Sequence, residues 1–205
     1  MVAVAAVVFD MGGVLTEPPF LGLEQYAGRL GLPPGALAQF FRGDPTMARF
    51  ETGTISSREF FKYVCVSCQD RYGVRVDIHE LASAAETGER LQPEALQLVA
   101  EVHRRVKTAL LTNNVKTAGW RQGFAFEQFD VVVDSSQVGI RKPDPAIYRH
   151  LIDALALDPE AIAFFDDFEE NVEAALRLGI QAFVFTNVAD CRAQLAELGV
   201  LEELA

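Results

Sequence analysis

Basic residues are scarce in this sequence: 18 lysines and arginines face 29 aspartates and glutamates, for a formal net charge of −11. A chain this acidic lacks the positive field that gathers phosphate backbones, so no nucleic-acid partner is expected. A small anionic substrate is still compatible, because a site can carry its own cations. Cysteine is sparse too, at positions 65, 68 and 191. So few, and an odd number, argue against a disulfide scaffold and for a reducing compartment. Long apolar runs are missing. The first covers residues 2–9, has no basic segment before it and stops at Asp10. It is expected to be neither a signal peptide nor a membrane span, and no later stretch is long enough to cross a bilayer. The expectation is a cytoplasmic protein without a membrane partner.

What is present is ample apolar material. Of 205 residues, 50% are apolar and 23% charged, which suits one large domain or a core with a modest insertion. Five short runs, over residues 2–9, 106–112, 129–135, 161–166 and 181–186, are nearly continuously apolar. Such runs predict strands buried on both faces, as in a parallel sheet. Helical patterns follow over 93–106, 145–157, 170–179 and 191–199, the last two stopping at Gly179 and Gly199. Alternating strands and helices predict an open α/β sheet.

Residues 16–92 read differently, with helical segments and no convincing buried strand. Helices are expected over 23–30, 35–43, 56–72 and 78–88, the third opened by a Ser56–Glu59 capping box. The predicted organisation is a core domain of residues 1–15 and 93–205, with a helical cap of residues 16–92 inserted after the first strand. Phe40, Phe41, Phe60, Phe61 and Tyr63 are expected to form the cap core. Cys65-x-x-Cys68 lacks a second cysteine pair or a spaced histidine, and its spacing of one helical turn predicts a packed helix face.

In open α/β sheets, ligands bind beyond the carboxyl ends of the strands. There the sequence places Asp10, Gly12 and Gly13 after strand one, Thr112 and Asn113 at strand two, Lys142 after strand three, and Asp166 and Asp167 at strand four. Three neighbouring carboxylates repel, so they share protons or hold a cation among them. Magnesium favours carboxylate oxygens together with substrate phosphate. A hydroxyl, an amide and an ammonium group suit a phosphoryl ligand. A carboxylate nucleophile with these neighbours makes a phosphoryl-transfer site.

These segments resemble the four motifs of the haloacid-dehalogenase-like hydrolase superfamily: FDMGGVLT, LLTNN, RKPDPAIY and FFDDFEENVEAALRLGI, in that order. The stretch RFETGTISSREFF is similar to the cap of the branch holding the soluble epoxide hydrolase phosphatase domain and bacterial glucose-1-phosphatases. The resemblance implies a Rossmann-like sheet of order 5-4-1-2-3 with a helical C1-type cap. It implies a magnesium-dependent phosphatase acting on a small phosphorylated metabolite. Asp10 would be the nucleophile, and Thr112 and Asn113 would hold phosphoryl oxygens. Lys142 would offset charge on nucleophile and phosphate. Asp10, Asp167, Asp166 and the Gly12 carbonyl would serve the metal. One departure stands out: phosphatases of this superfamily usually carry an acid–base aspartate where this chain has Gly12. The rivals are a 2-haloacid dehalogenase, a phosphomutase, and a weakly active or inert protein that keeps phosphate and metal affinity.

Overall fold

The computed structural model describes residues 2–18, 20–86, 90–115 and 124–202. Five parallel strands, β1 (Ala6–Phe9), β2 (Lys107–Thr112), β3 (Val131–Asp134), β4 (Ile162–Asp166) and β5 (Gln181–Val184), form one sheet of order β3-β2-β1-β4-β5. This is the expected order. The strands are apolar on both sides because both faces are covered. Val7, Phe9, Leu110, Ala163 and Phe165 pack against helices α5 (Pro93–His103) and α9 (Val188–Glu197). The alternate residues Ala6, Val8, Ala109, Leu111, Ile162 and Phe164 pack against α7 (Pro145–Leu155) and α8 (Glu169–Leu176). One strand therefore feeds two cores through its period of two.

A third hydrophobic cluster lies outside the sheet, among α1 (Leu21–Arg29), α2 (Pro45–Glu51), α3 (Ser57–Tyr72) and α4 (Ile78–Glu86). Helix α3 opens with the expected reciprocal Ser56–Glu59 bonds and closes at Gly73, whose φ of 68° suits a residue without a Cβ. Cys68 is buried in this cluster and Cys65 packs against it. The chain enters and leaves the helical lobe side by side. Glu17 N donates to Arg90 O at 2.8 Å and Gln92 N to Leu15 O at 2.8 Å, around an isolated antiparallel bridge between Thr16 and Leu91.

The expected helix over 35–43 is reduced to one 3-10 turn, Ala38–Phe40. Gly35 and Gly43, with φ of 78° and 72°, break the right-handed helix on both sides. Two helices were not anticipated. Helix α2 starts at the Asp44 cap with Pro45 in its first turn, and α6 (Ser135–Val138) is a single turn after β3. Both are too short to show apolar periodicity. The last residues of the 78–88 segment lie outside the described residues. No described helix is long and apolar enough to cross a membrane.

Candidate active site

Strand register builds the floor of the site. Phe9 pairs with Leu110 on one side and Phe165 on the other, so the next residues, Asp10, Leu111 and Asp166, share one level at the carboxyl edge. Asp10 N continues the ladder to Phe165 O at 3.0 Å. At this edge a buried Lys142 Nζ lies 2.7 Å from Asp10 Oδ1, 2.6 Å from Asp166 Oδ2 and 2.9 Å from Leu111 O. An ammonium has three N–H donors, and all three have acceptors here. Lys142 thus offsets charge and aims Asp10, with no donor left over for a ligand in this arrangement.

Asp166 is fixed from its other side. Its Oδ1 accepts from Phe168 N and from Asn171 Nδ2, both at 2.9 Å. Asn113 fixes Lys142: its Nδ2 donates to Lys142 O at 2.9 Å, and its Oδ1 accepts from Lys142 N at 2.8 Å. The side-chain amide expected on a phosphoryl oxygen is therefore engaged with the Lys142 backbone. Two groups stand out by contrast. Thr112 Oγ1 and Asp167 Oδ1 are buried and make no hydrogen bond. Buried polar atoms without partners are costly and call for an unseen ligand.

One oxygen each of Asp10, Asp166 and Asp167 lies within 4.8 Å of the others. That donor set is all hard oxygen, which fits magnesium. Burial has the largest influence on the Asp10 carboxyl. Lys142 opposes it, Asp166 and Asp167 reinforce it, and the group is pushed up to about 8. Burial and the Asp166 charge likewise raise Asp167 to about 7. A divalent cation would reverse both shifts by favouring the ionised forms.

The two glycines after Asp10 differ in kind. Gly13 has φ of 73°, and a Cβ there would come within 2.7 Å of Asp167 Cγ. Only glycine lets the loop pass this carboxylate. Gly12 has no such constraint, and a Cβ on it would meet nothing within 4 Å. The space where the superfamily's acid–base side chain belongs is open.

Above the floor lies a cavity of about 230 Å³, roofed by the helical lobe. Phe41, Phe50, Phe61 and Met47 line it, with Phe60 stacked 4.9 Å behind Phe50. Of the aromatics expected in the cap core, Phe40 and Phe60 are fully interior while Phe41 and Phe61 also face the cavity. Arg42 reaches over the rings of Phe20 and Phe168, at 5.2 and 4.8 Å. Glu51, at the end of α2, lines the cavity with Arg141, whose Nε lies 2.6 Å from Glu51 Oε2 in an ion contact. The sequence motifs give Glu51 no role and hold Arg141 only as the residue before Lys142. Glu51 stood inside the quoted cap stretch, but nothing in one dimension places a cap residue over the strand ends.

The family model for haloacid dehalogenase-like hydrolases matches residues 4–179. The chain is 27% identical over 215 residues to the bifunctional epoxide hydrolase 2 of Sus scrofa, covering 96% of this chain and 38% of that protein. It is 28% identical over 196 residues to Phosphatase MT3486 of Mycobacterium tuberculosis, covering 89% of this chain and 87% of the relative. The chain thus spans under two fifths of the longer curated relatives it matches. Its fold superposes on the HAD family enzyme bt-2542 of Bacteroides thetaiotaomicron, solved with magnesium and inorganic phosphate, with a TM-score of 0.70. That match has 21% identity and covers 89% of this chain and 94% of the other. On its motifs and the family-model match over residues 4–179, the chain belongs to the haloacid dehalogenase-like hydrolases.

Proposed function

We propose that the protein is a magnesium-dependent phosphatase that hydrolyses a small phosphorylated metabolite through an aspartyl-phosphate on Asp10. The carrying observation is the pair of unpartnered buried atoms, Asp167 Oδ1 and Thr112 Oγ1, beside a carboxylate that a lysine aims. One acceptor waits for a cation and one hydroxyl for an anion. The phosphatase among the relatives supports the same reading. Asp10 and Asp167, with the Gly12 carbonyl, would hold the ion, and Asp166 would support them while pinned by Asn171. The bound ion would draw charge from the phosphoryl oxygens and offset the carboxylates.

The chain's own residues do the rest. Lys142 orients one Asp10 oxygen, leaving the other to attack phosphorus in line. Thr112 donates to a phosphoryl oxygen, and water then releases phosphate and restores Asp10. A 2-haloacid dehalogenase would use Asp10 on carbon without a metal, and the buried Asp167 Oδ1 would then be left without a partner. The test is phosphate release from para-nitrophenyl phosphate with and without magnesium. Metal-dependent release supports the phosphatase. Halide release from a 2-haloacid, with no phosphate release, overturns it.

A further inference from the structure

We propose that Glu51, on the cap helix α2, is the general acid and base that replaces the side chain absent at Gly12. The inference rests on the phosphatase reading above. The reaction needs a proton on the departing oxygen and later a base for water. Gly12 offers neither, and its neighbourhood is open. The other proton carriers lining the cavity are few among the described residues. Asp10 is the nucleophile, and Lys142 has all three donors engaged. Glu86 and Glu170 are exposed, and Arg42 and Arg141 are guanidinium groups, which do not give up a proton in this range. Glu51 is the remaining buried carboxyl, with a side chain only 8% exposed.

Its setting suits both states of the proton. Burial pushes the Glu51 carboxyl up, against the opposing charges of Arg141 and Lys142, to about 7. The neutral form is therefore populated when the substrate arrives, and Arg141 stands beside the carboxylate that forms afterwards. The residue is also held in place. Glu51 O accepts from Ser135 Oγ at 2.9 Å, which ties the end of α2 to the core. In the first step Asp10 forms a bond to phosphorus, the ester P–O bond breaks, and the departing oxygen takes the Glu51 proton. In the second, water adds to phosphorus and gives a proton to the Glu51 carboxylate as the Asp10–phosphorus bond breaks. Glu51 ends protonated, as it began.

The test compares para-nitrophenyl, phenyl and phenethyl phosphates, whose leaving groups are of increasing basicity. Glu51→Gln keeps the size and polarity of the side chain. It should lower kcat/KM on phenethyl phosphate about 100-fold and on the nitrophenyl ester by less than about fivefold. A purely structural tie between cap and core predicts equal losses on all three esters, and that result overturns the proposal. So does undiminished phenethyl turnover in the variant, or a wild type that cleaves only the nitrophenyl ester. In these cases the phosphatase reading survives. A wild type that cleaves no phosphate ester removes both. Should the variant misfold, the wild-type pH profile decides. With the alkyl ester, kcat/KM should fall above about pH 7 as Glu51 loses its proton. Arg141→Met withdraws the cation that favours the carboxylate, so this limb should move to higher pH. A limb that stays put in Arg141→Met overturns the proposal.

Discussion

The floor and the roof of the cavity are built on opposite plans. On the floor, polar side chains are fixed by directional bonds, Thr112 Oγ1 and Asp167 Oδ1 excepted. Lys142 holds Asp10 and Asp166, Asn113 holds the Lys142 backbone, and Asn171 holds Asp166. The roof is mostly apolar, and its rings pack without directional bonds, Phe41 tilted against Phe61 and Phe60 edge-on to Phe61. Directional networks set positions to fractions of an ångström, while apolar packing sets volume and tolerates repacking. The floor is thus suited to a fixed reaction and the roof to selecting what is attached to it. Glu51 and Arg141 are where the two plans meet.

Breaking the floor should have the largest effects. Asp10→Asn keeps the shape but cannot form an acyl phosphate, so turnover should fall by more than about a thousandfold with the fold intact. Steady-state phosphate release and circular dichroism check both halves. Retained turnover would move the nucleophile elsewhere. Asn113→Ala reaches the floor indirectly. It leaves the Lys142 peptide groups without partners, which costs about 1–3 kcal/mol for each buried group. We expect a lower melting temperature and kcat reduced about tenfold to a hundredfold, with KM little changed, because Lys142 is less well aimed. A KM effect alone would make Asn113 a ligand-binding residue instead.

The acidic cluster makes the floor's stability depend on pH. Asp10 and Asp167 are raised to about 8 and 7, so the metal-free native state holds protons that the unfolded chain releases near pH 4. Stability contributed by these groups therefore falls as pH rises from about 4 to about 8. A cation binds the ionised form, so the rise in melting temperature with magnesium should be small at pH 5 and several degrees at pH 8. Calorimetry with and without magnesium measures this, and Asp167→Asn should remove most of the shift. A shift independent of pH would place the ion away from these carboxylates.

Floor and roof also differ in how far the sequence reveals them. The five strands and the residues at their ends were legible, because uninterrupted apolar runs mark strands covered on both faces and ligands collect at their carboxyl edge, whereas the strand order came only with the resemblance to the superfamily. The Ser56–Glu59 start of α3 was legible for a similar reason, being a bond pattern between near neighbours. The partners of the site residues were not. That Asn113 bonds the Lys142 backbone, 29 residues away, depends on how two loops meet in space. Helix α2 escaped because seven residues carry too little periodicity, and with it went the position of Glu51. The roof is assembled from four helices whose mutual placement no local pattern encodes.

A change in the roof should act through the substrate. Phe61→Ala opens the apolar wall while leaving the floor network intact. Phe61 is half-buried, and losing the apolar contact its ring would make with a bound ligand is worth roughly 1.5 kcal/mol. KM for phenethyl phosphate should rise about tenfold, while turnover of a small polar ester such as glycerol phosphate should change little. Equal effects on both would mean that Phe61 supports the fold rather than the fit.

The smallest effect is expected where floor and roof compete for one task. Gly12→Asp places a carboxyl at the position the superfamily normally uses, and the site admits it. Gly12 lies outside the left-handed region, and a Cβ there meets nothing within 4 Å. If the roof already supplies the proton through Glu51, a second acid is redundant. Alkyl-ester turnover should then gain only a few-fold, well short of the roughly 10²–10⁴-fold that acid–base assistance can contribute. In the Glu51→Gln background the same substitution should recover most of the lost alkyl turnover, because the new carboxyl takes over an unfilled role. The two substitutions should therefore be strongly non-additive, which a double-mutant cycle on phenethyl phosphate measures directly. Gains of equal size in both backgrounds would mean that Glu51 and the carboxyl introduced at position 12 act on different steps. The wild-type roof would then contribute fit alone.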